Sequence, residues 1–278
     1  MQSATKRIRT RYWRPGDDFL KIIVESIAAE CKDGDIVVLS EKAISVATGC
    51  VVDENEARPG NFAKVLAGIW MKLVWGHILG RLCHLNKRTI SRLRRYPRPL
   101  GDAHKATVMK YAGFWQALLH YSEGGIDVTN LPYSLASLPL RNSEEVAERA
   151  RELIAKACEK EVSVLVADTD KTYSRKGTHL TPRPNAIRGI RTLGILAFII
   201  GRALRWTAQA TPIALCGRQL SVAEALAVAD AADRARGYGA GRTVWDMSKR
   251  FGVDFTEVTW EMLDRVQHYP IVLVRKTQ

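Results

Sequence analysis

The segment SEEVAERARELIAKACEK, Ser143 to Lys160, runs almost directly into VSVLVAD, Val162 to Asp168, and this junction decides the fold. Asn142 or Ser143 can cap the first part. Glu144 and Glu145 sit in its first turn and Lys156 and Lys160 in its last, so charge matches the helix dipole at both ends. The following apolar run reads as a strand buried on both faces that ends on a carboxylate. A helix feeding a buried strand is half of an α/β crossover.

Upstream, PGDDFLKIIVESIAAECKDGDIVVLSEKAISVATG repeats the arrangement. Phe19, Ile22, Ile23, Ile27 and Ala28 recur at helical spacing, Asp33-Gly34 makes a turn, and Ile36 to Leu39 is a short β-favouring run. Apolar and aromatic residues from Phe62 to Leu82 also recur at helical spacing. LNKRTISRLRRYPRPL then reads as a helix end and loop with a cationic face, and Ala106 to Tyr121 as a strand or a helix. Downstream of Asp168, TDKTYSRKG reads as a polar loop. A strand or helix follows around Ile213, then the alanine-rich helix SVAEALAVADAADRARG, a glycine-dense GYGAG, and a final strand, Tyr269 to Arg275. The expected fold class is α+β, with mixed sheets and flanking helices. One unit, 1–278, is expected, with two intertwined subdomains of about 1–140 and 141–278 and a basic, aromatic helical insertion at 62–109.

The 278 residues carry a net charge of +13, which favours anionic partners: nucleic acid, nucleotides or acidic metabolites. The longest uninterrupted apolar run, Leu193 to Ile200, is far short of the roughly 20 residues of a membrane span, and the charged N-terminus lacks a signal-peptide apolar block. A cytoplasmic protein with no membrane partner is expected. Five scattered cysteines include no C-x-x-C pair, which argues against a disulfide framework or a zinc site. No G-x-S-x-G elbow or H-E-x-x-H motif occurs, and GYGAG lacks the order of a P-loop.

Two carboxylates stand where the chain leaves apolar structure: Asp127 in EGGIDVTN and Asp168 in VSVLVADTD. Oxygen ligands of this kind, with the Thr169 hydroxyl beside one of them, suit a hard divalent cation held against phosphate. Turn-capping carboxylates are the plainer explanation of each taken alone. Arg175 and Lys176, past the Asp168 turn, are candidate phosphate partners.

The order of these motifs resembles the coenzyme F-420 γ-glutamyl ligase family. GDIVVLSEKAISVATG, GGIDVTN, VSVLVADTDKTYSRKG and GRQL stand in the order of that family's GDVVVVSQKIVSKAEG, NAGIDxSN, VGVIIxDTxGRxxRxG and YGREL. The resemblance implies a GTP-dependent ligase that activates a substrate carboxylate as an acyl phosphate, which the amine of L-glutamate attacks. It also implies Mg2+ or Mn2+, a monovalent cation (K+), an acidic small-molecule acceptor and a homodimer. Asp127, Asp168 and Thr169 would be metal ligands, and Glu41, Lys42, Asn130 and Arg175 nucleotide contacts. Val46 stands where the family has lysine, and Arg242 near its glycine-loop acid. Two alternatives stay open: a nucleic-acid binder using Lys87, Arg88, Arg92, Arg94, Arg95 and Arg98 with Tyr96, or a pseudoenzyme.

Overall fold

A computed structural model describes residues 3–120, 123–184 and 186–276. Its strands are β1 (Ser3–Thr10), β2 (Ile36–Ser40), β3 (Val51–Asp53), β4 (Leu135–Ser137), β5 (Ser163–Arg175), β6 (Thr178–Thr181), β7 (Arg191–Thr192), β8 (Thr207–Cys216) and β9 (His268–Lys276). The helices used below are α1 (Phe19–Ile27), α2 (Glu41–Ala47), α3 (Asn61–Leu82), α4 (Lys87–Arg94), α5 (Leu100–Tyr111), α6 (Phe114–Ala117), α7 (Ser143–Cys158), α8 (Ile195–Ala203), α9 (Val222–Arg236), α10 (Val244–Phe251) and α11 (Trp260–Asp264). The protein is α+β: a mixed seven-stranded sheet in the order β1-β9-β2-β5-β6-β7, with β8 also on β5, and a small β3-β4 ribbon.

The period-two alternation of side chains along β2, β5 and β9 splits the core into two layers. Val37, Leu39, Val164, Val166, Ile271 and Leu273 face α1 and α7. Ile36, Val38, Leu165, Ala167, Val272 and Val274 face the alanine side of α9. Alanines at Ala225, Ala229 and Ala232 let that helix lie close to the sheet. Its start is fixed by a capping box between Ser221 and Glu224.

β5 departs from the expected strand end. It continues 7 residues past Asp168 to Arg175, so TDKTYSR is strand and hairpin rather than loop. Thr172 explains this locally: it is fully buried, and its hydroxyl shares a 2.8 Å hydrogen bond with that of Thr211 on β8. The register against β8 breaks between Asp168 and Lys171, a bulge of the kind that re-aims side chains. β2, the parallel neighbour of β5, stops at Ser40 opposite Ala167, one residue before the bulge. A crevice therefore opens beyond the carboxyl end of β2, beside the bulge of its parallel neighbour β5, and open α/β sheets hold ligands at such strand ends.

The basic, aromatic segment folds as helices packed on the far half of β5. Ala106 to Tyr121 divides into the end of α5 and α6, with Tyr121 outside the described residues. Leu66–Leu79 within α3 is wound as a π-helix. Its buried residues, Ala67, Met71, Trp75 and Gly76, meet Leu93, Leu119, Tyr173 and Phe198, and the indole N–H groups of Trp70 and Trp75 both donate to the carbonyl of Leu118. This helix is long and apolar enough to cross a membrane by length and composition; Lys72 interrupts the apolar run, so a count of uninterrupted residues overlooks it.

Candidate functional site

The EGGID turn is fixed by its glycines. Gly124 and Gly125 have φ of 74° and 91°, and a Cβ on Gly125 would collide with the Arg183 guanidinium. The Gly125 N–H donates to Asp170 Oδ2 at 3.1 Å, tying the turn to the β5 bulge. Asp127 pairs across Ser137 of β4, and its Oδ1 accepts from the Thr129 N–H at 2.7 Å. The Lys42 ammonium lies on the other carboxylate oxygen of Asp127 and donates to the Thr129 carbonyl at 2.8 Å. Burial alone would raise the Asp127 pKa, but Lys42 and the Thr129 amide hold it below the ordinary carboxylate value.

Arg183 is the hub behind these groups. Fully buried, it contacts Glu41 and the Gly124 carbonyl, and its Nε lies 3.0 Å from Asp168 Oδ2. Glu41, the first residue of α2, also accepts the Leu140 N–H at 2.8 Å. Burial pushes Glu41 up to about 7; Arg183 pulls it down and Asp168 pushes it up. One guanidinium thus serves two buried carboxylates, with Asp170 also raising its pKa. The cluster carries more negative than positive charge, and Asp168 Oδ2, ion-paired with Arg183 Nε, makes no hydrogen bond of good geometry among the described residues. Carboxylates and a hydroxyl are donors that fit a hard divalent cation, although no group of three or more His, Cys, Asp or Glu with metal-binding geometry occurs among the described residues.

Two hollows meet at this point. Asp127, Thr129, Asp168, Thr169 and Arg242 line both, forming a waist. The first hollow, about 350 Å³, lies over the glycine loop after α9 and is lined by Lys42, Val46, Lys171, Arg236, Gly237 and Gly239. Two Arg236 nitrogens, Nε and Nη2, are buried there without a hydrogen-bond partner among the described residues. Burial lowers the Arg236 pKa, the signature of a cation that an incoming anion would stabilise. The second hollow, about 270 Å³, has walls of Tyr96, Leu100, Ile126, Val244, Trp245 and Phe255.

The second hollow also meets a buried polar network. His104 bridges Glu54 at 2.6 Å and Glu123 at 2.9 Å through its two ring nitrogens, and fully buried Lys105 bonds Glu123 Oε1 at 2.6 Å. Lys105 also donates to the carbonyls of Ala117 and Leu119. Burial by itself would lower the His104 pKa, but the two carboxylates raise it to about 10.

The residues singled out by sequence fall into three groups. Asp127, Asp168, Thr169 and Lys42 line the cleft together. Glu41 stands behind it, engaged by Arg183. Asn130, at φ 61°, also lines the first hollow, but its side chain accepts from the Ala240 N–H at 2.7 Å and donates to Gly241 O at 3.2 Å, so it stitches the glycine loop in place. Arg175 is not in the cleft: it lines a separate surface hollow with Lys176, His179 and Arg205 at the far end of β5, roughly 23 Å from Asp168 at 3.3 Å per residue. The basic segment is partly committed as well. Arg88 and Arg92 bond Asp246, Arg98 bonds Asp102, and Tyr96 is buried rather than presented for stacking. Arg183, Asp170 and His104 are not among the site residues that the sequence singles out; for Arg183 the one hint is the proline pair around it in TPRP, which stiffens that segment.

The fold and cleft define a class: an α+β protein with a carboxylate waist between a hollow that carries Lys and Arg and a hollow with aromatic walls, at the carboxyl end of β2 beside the β5 bulge. The chain matches the F420-0:Gamma-glutamyl ligase family over residues 7–235 and belongs to it. It is 36% identical to an uncharacterized protein of Methanocaldococcus jannaschii, over 96% of this chain and 94% of that one. It is also 26% identical to the coenzyme F420:L-glutamate ligase of Methanopyrus kandleri, over 59% of this chain and 58% of that one.

Proposed function

We propose that the protein is a nucleotide- and divalent-cation-dependent amide ligase that joins L-glutamate to an activated carboxylate, with GTP as the phosphoryl donor by analogy with its family. The observation that carries this reading is the shared waist: a hollow that carries Lys42, Lys171 and Arg236 and a hollow with aromatic walls meet at Asp127, Asp168 and Thr169. In this reading Arg236, Lys42 and Arg242 bind the phosphate chain in the glycine-loop hollow, and the apolar hollow holds the acceptor. Arg183 and Glu41 are positioning residues, fixing Asp168 and the GGID turn relative to each other. Bound magnesium or manganese, held by Asp127, Asp168 and Thr169, would supply charge neutralisation at the transferring phosphoryl group.

The chemistry balances without a further reactant. The acceptor carboxylate takes the terminal phosphoryl group and the nucleoside diphosphate leaves. The glutamate amine then attacks the acyl carbon, loses a proton, and expels phosphate. Walls that exclude water favour the amine over hydrolysis of the activated carboxylate.

The test is a thermal-shift and equilibrium-binding screen of GTP, ATP and GDP with and without magnesium or manganese, because a ligand of the folded state raises Tm. Metal-dependent binding of the triphosphate is expected. Asp127→Asn and Asp168→Asn should abolish the metal dependence, and Arg236→Met should weaken binding about ten- to a hundredfold, the worth of a charged hydrogen bond. Unchanged binding in all three folded variants would sink the assignment.

A further inference from the structure

Helix α3 carries a second feature that the cleft does not use. Its exposed apolar residues are Phe62, Val65, Ile69, Leu73, Ile78 and Leu82, and their spacing argues that they share one line. From Val65 onward the spacings are 4, 4, 5 and 4, wider than the 3.6 of an α-helix. The broader π winding of Leu66–Leu79 keeps them in register. Ile69, Leu73 and Ile78 are 53, 56 and 63% exposed, unusual for aliphatic side chains in a row. The face continues sideways: Phe62 stacks 5.6 Å from Phe114, Phe114 touches Trp115, which is 59% exposed, and Gly194 against Trp115 leads to exposed Leu196.

Charge identifies what covers it. Between Arg58 and Lys110 lie twelve Lys and Arg against a single acid, Asp102, leaving thirty and twenty-eight in the rest of the chain. Lys105 is buried on Glu123, and Arg88, Arg92 and Arg98 are held by Asp246 and Asp102, so the remaining eight supply the positive excess of the segment that builds the apolar face. α4 and its following turn pack along α3, where Gly76 lies against Arg94 and Gly68 against Arg98. Lys64 and Arg81 are exposed on α3 itself, and Lys87 and Arg95 on α4 and the turn that follows it.

We propose that this face docks on the surface of an anionic lipid bilayer, with α3 lying in the interfacial plane, its aliphatic line and Trp115 in the headgroup boundary and the surrounding cations on lipid phosphates. Exposed apolar side chains rimmed by Lys and Arg are the composition of an interfacial helix, and each nearby cation strengthens attraction to an anionic leaflet by about fivefold. A protein partner of ordinary surface charge would not account for such an excess of one sign. α3 stays on the fold, because Met71 and Trp75 on its other side are fully buried in the core. The same segment gives Tyr96, Leu100 and His104 to the cleft wall, so the docked face and the apolar hollow share a scaffold.

Flotation of the full chain with phosphatidylcholine vesicles, with and without phosphatidylglycerol, tests this. Flotation is expected only with the anionic vesicles, lost in Ile69→Asp/Leu73→Asp and weakened at least tenfold in Lys87→Glu/Arg95→Glu, with Tm preserved in both because all four side chains are exposed. Absence of flotation, or flotation that survives both variants, overturns the proposal. So does a dimer that dissociates in the Ile69→Asp/Leu73→Asp variant without any vesicle binding. Single-stranded oligonucleotide binding that depends on Lys87 and Arg95 alone, again without vesicle binding, would assign the charge to nucleic acid and overturn it as well.

Discussion

His104 couples its own protonation to the stability of the fold. It lies between Glu54 and Glu123 with both nitrogens engaged, and those carboxylates raise it to about 10 against an ordinary 6.5. A base whose folded value is raised favours the fold while protonated. Its contribution is therefore complete below about pH 6.5, declines as pH rises, and is gone above about pH 10. His104→Gln should cost about 3–5 kcal/mol near pH 6, since it strands the buried Glu123 beside Lys105 alone. The gap between wild type and variant, measured by urea unfolding at stepped pH, should close toward pH 10; a gap that stays constant would show that the imidazole is neutral. Sequence logic singles out Asp127, Asp168 and Thr169, which line the cleft, because a carboxylate after a glycine pair or after an apolar run signals itself locally. It did not reach His104 or Arg183, whose partners Glu54 and Glu41 lie 50 and 142 residues away.

At the scale of elements, winding decides which side chains are core. The helical spacing of Phe62 to Leu82 was legible, but an α-helix through buried Met71 and Trp75 would bury Ile78, seven and three residues on. In the π-wound segment Ile78 is exposed while Gly76 takes the inner position against Arg94. Ile78→Ala should therefore change stability by no more than about 0.5 kcal/mol, whereas Met71→Ala should cost about 2–5 kcal/mol. Equal large losses in denaturant unfolding would mean α winding. β5 teaches the same lesson. Its apolar half announces a strand, yet nothing in DTDKTYSR shows that pairing with β8 carries it onward through a bulge.

For the whole molecule the two halves of the chain are interleaved. β2, from the first half, lies between β9 and β5 of the second, and β1 pairs with β9 from Ser3↔Lys276 onward. The core around α3 is likewise closed by Tyr173 and Phe198 from the second half. The full chain should unfold in one urea transition. Fragments 1–140 and 141–278 should each lack a cooperative transition, because each would expose the sheet face and strand edges that the other covers. A cooperative fragment would mean separable domains.

The sequence by itself determined the capped helices, the apolar strands, the α+β class, and the glycine turn that carries Asp127, since helix caps, β-branched runs and glycine pairs act over a few residues. Only the tertiary structure decided that β2 stops beside the β5 bulge, that Arg183 binds the glycine turn and the β5 bulge from behind, that Arg175 lies at the far end of the strand, and that the exposed aliphatic residues of α3 face outward. Those outcomes follow from pairing register and helix winding, which are set by contacts between residues far apart in the chain and leave no local trace.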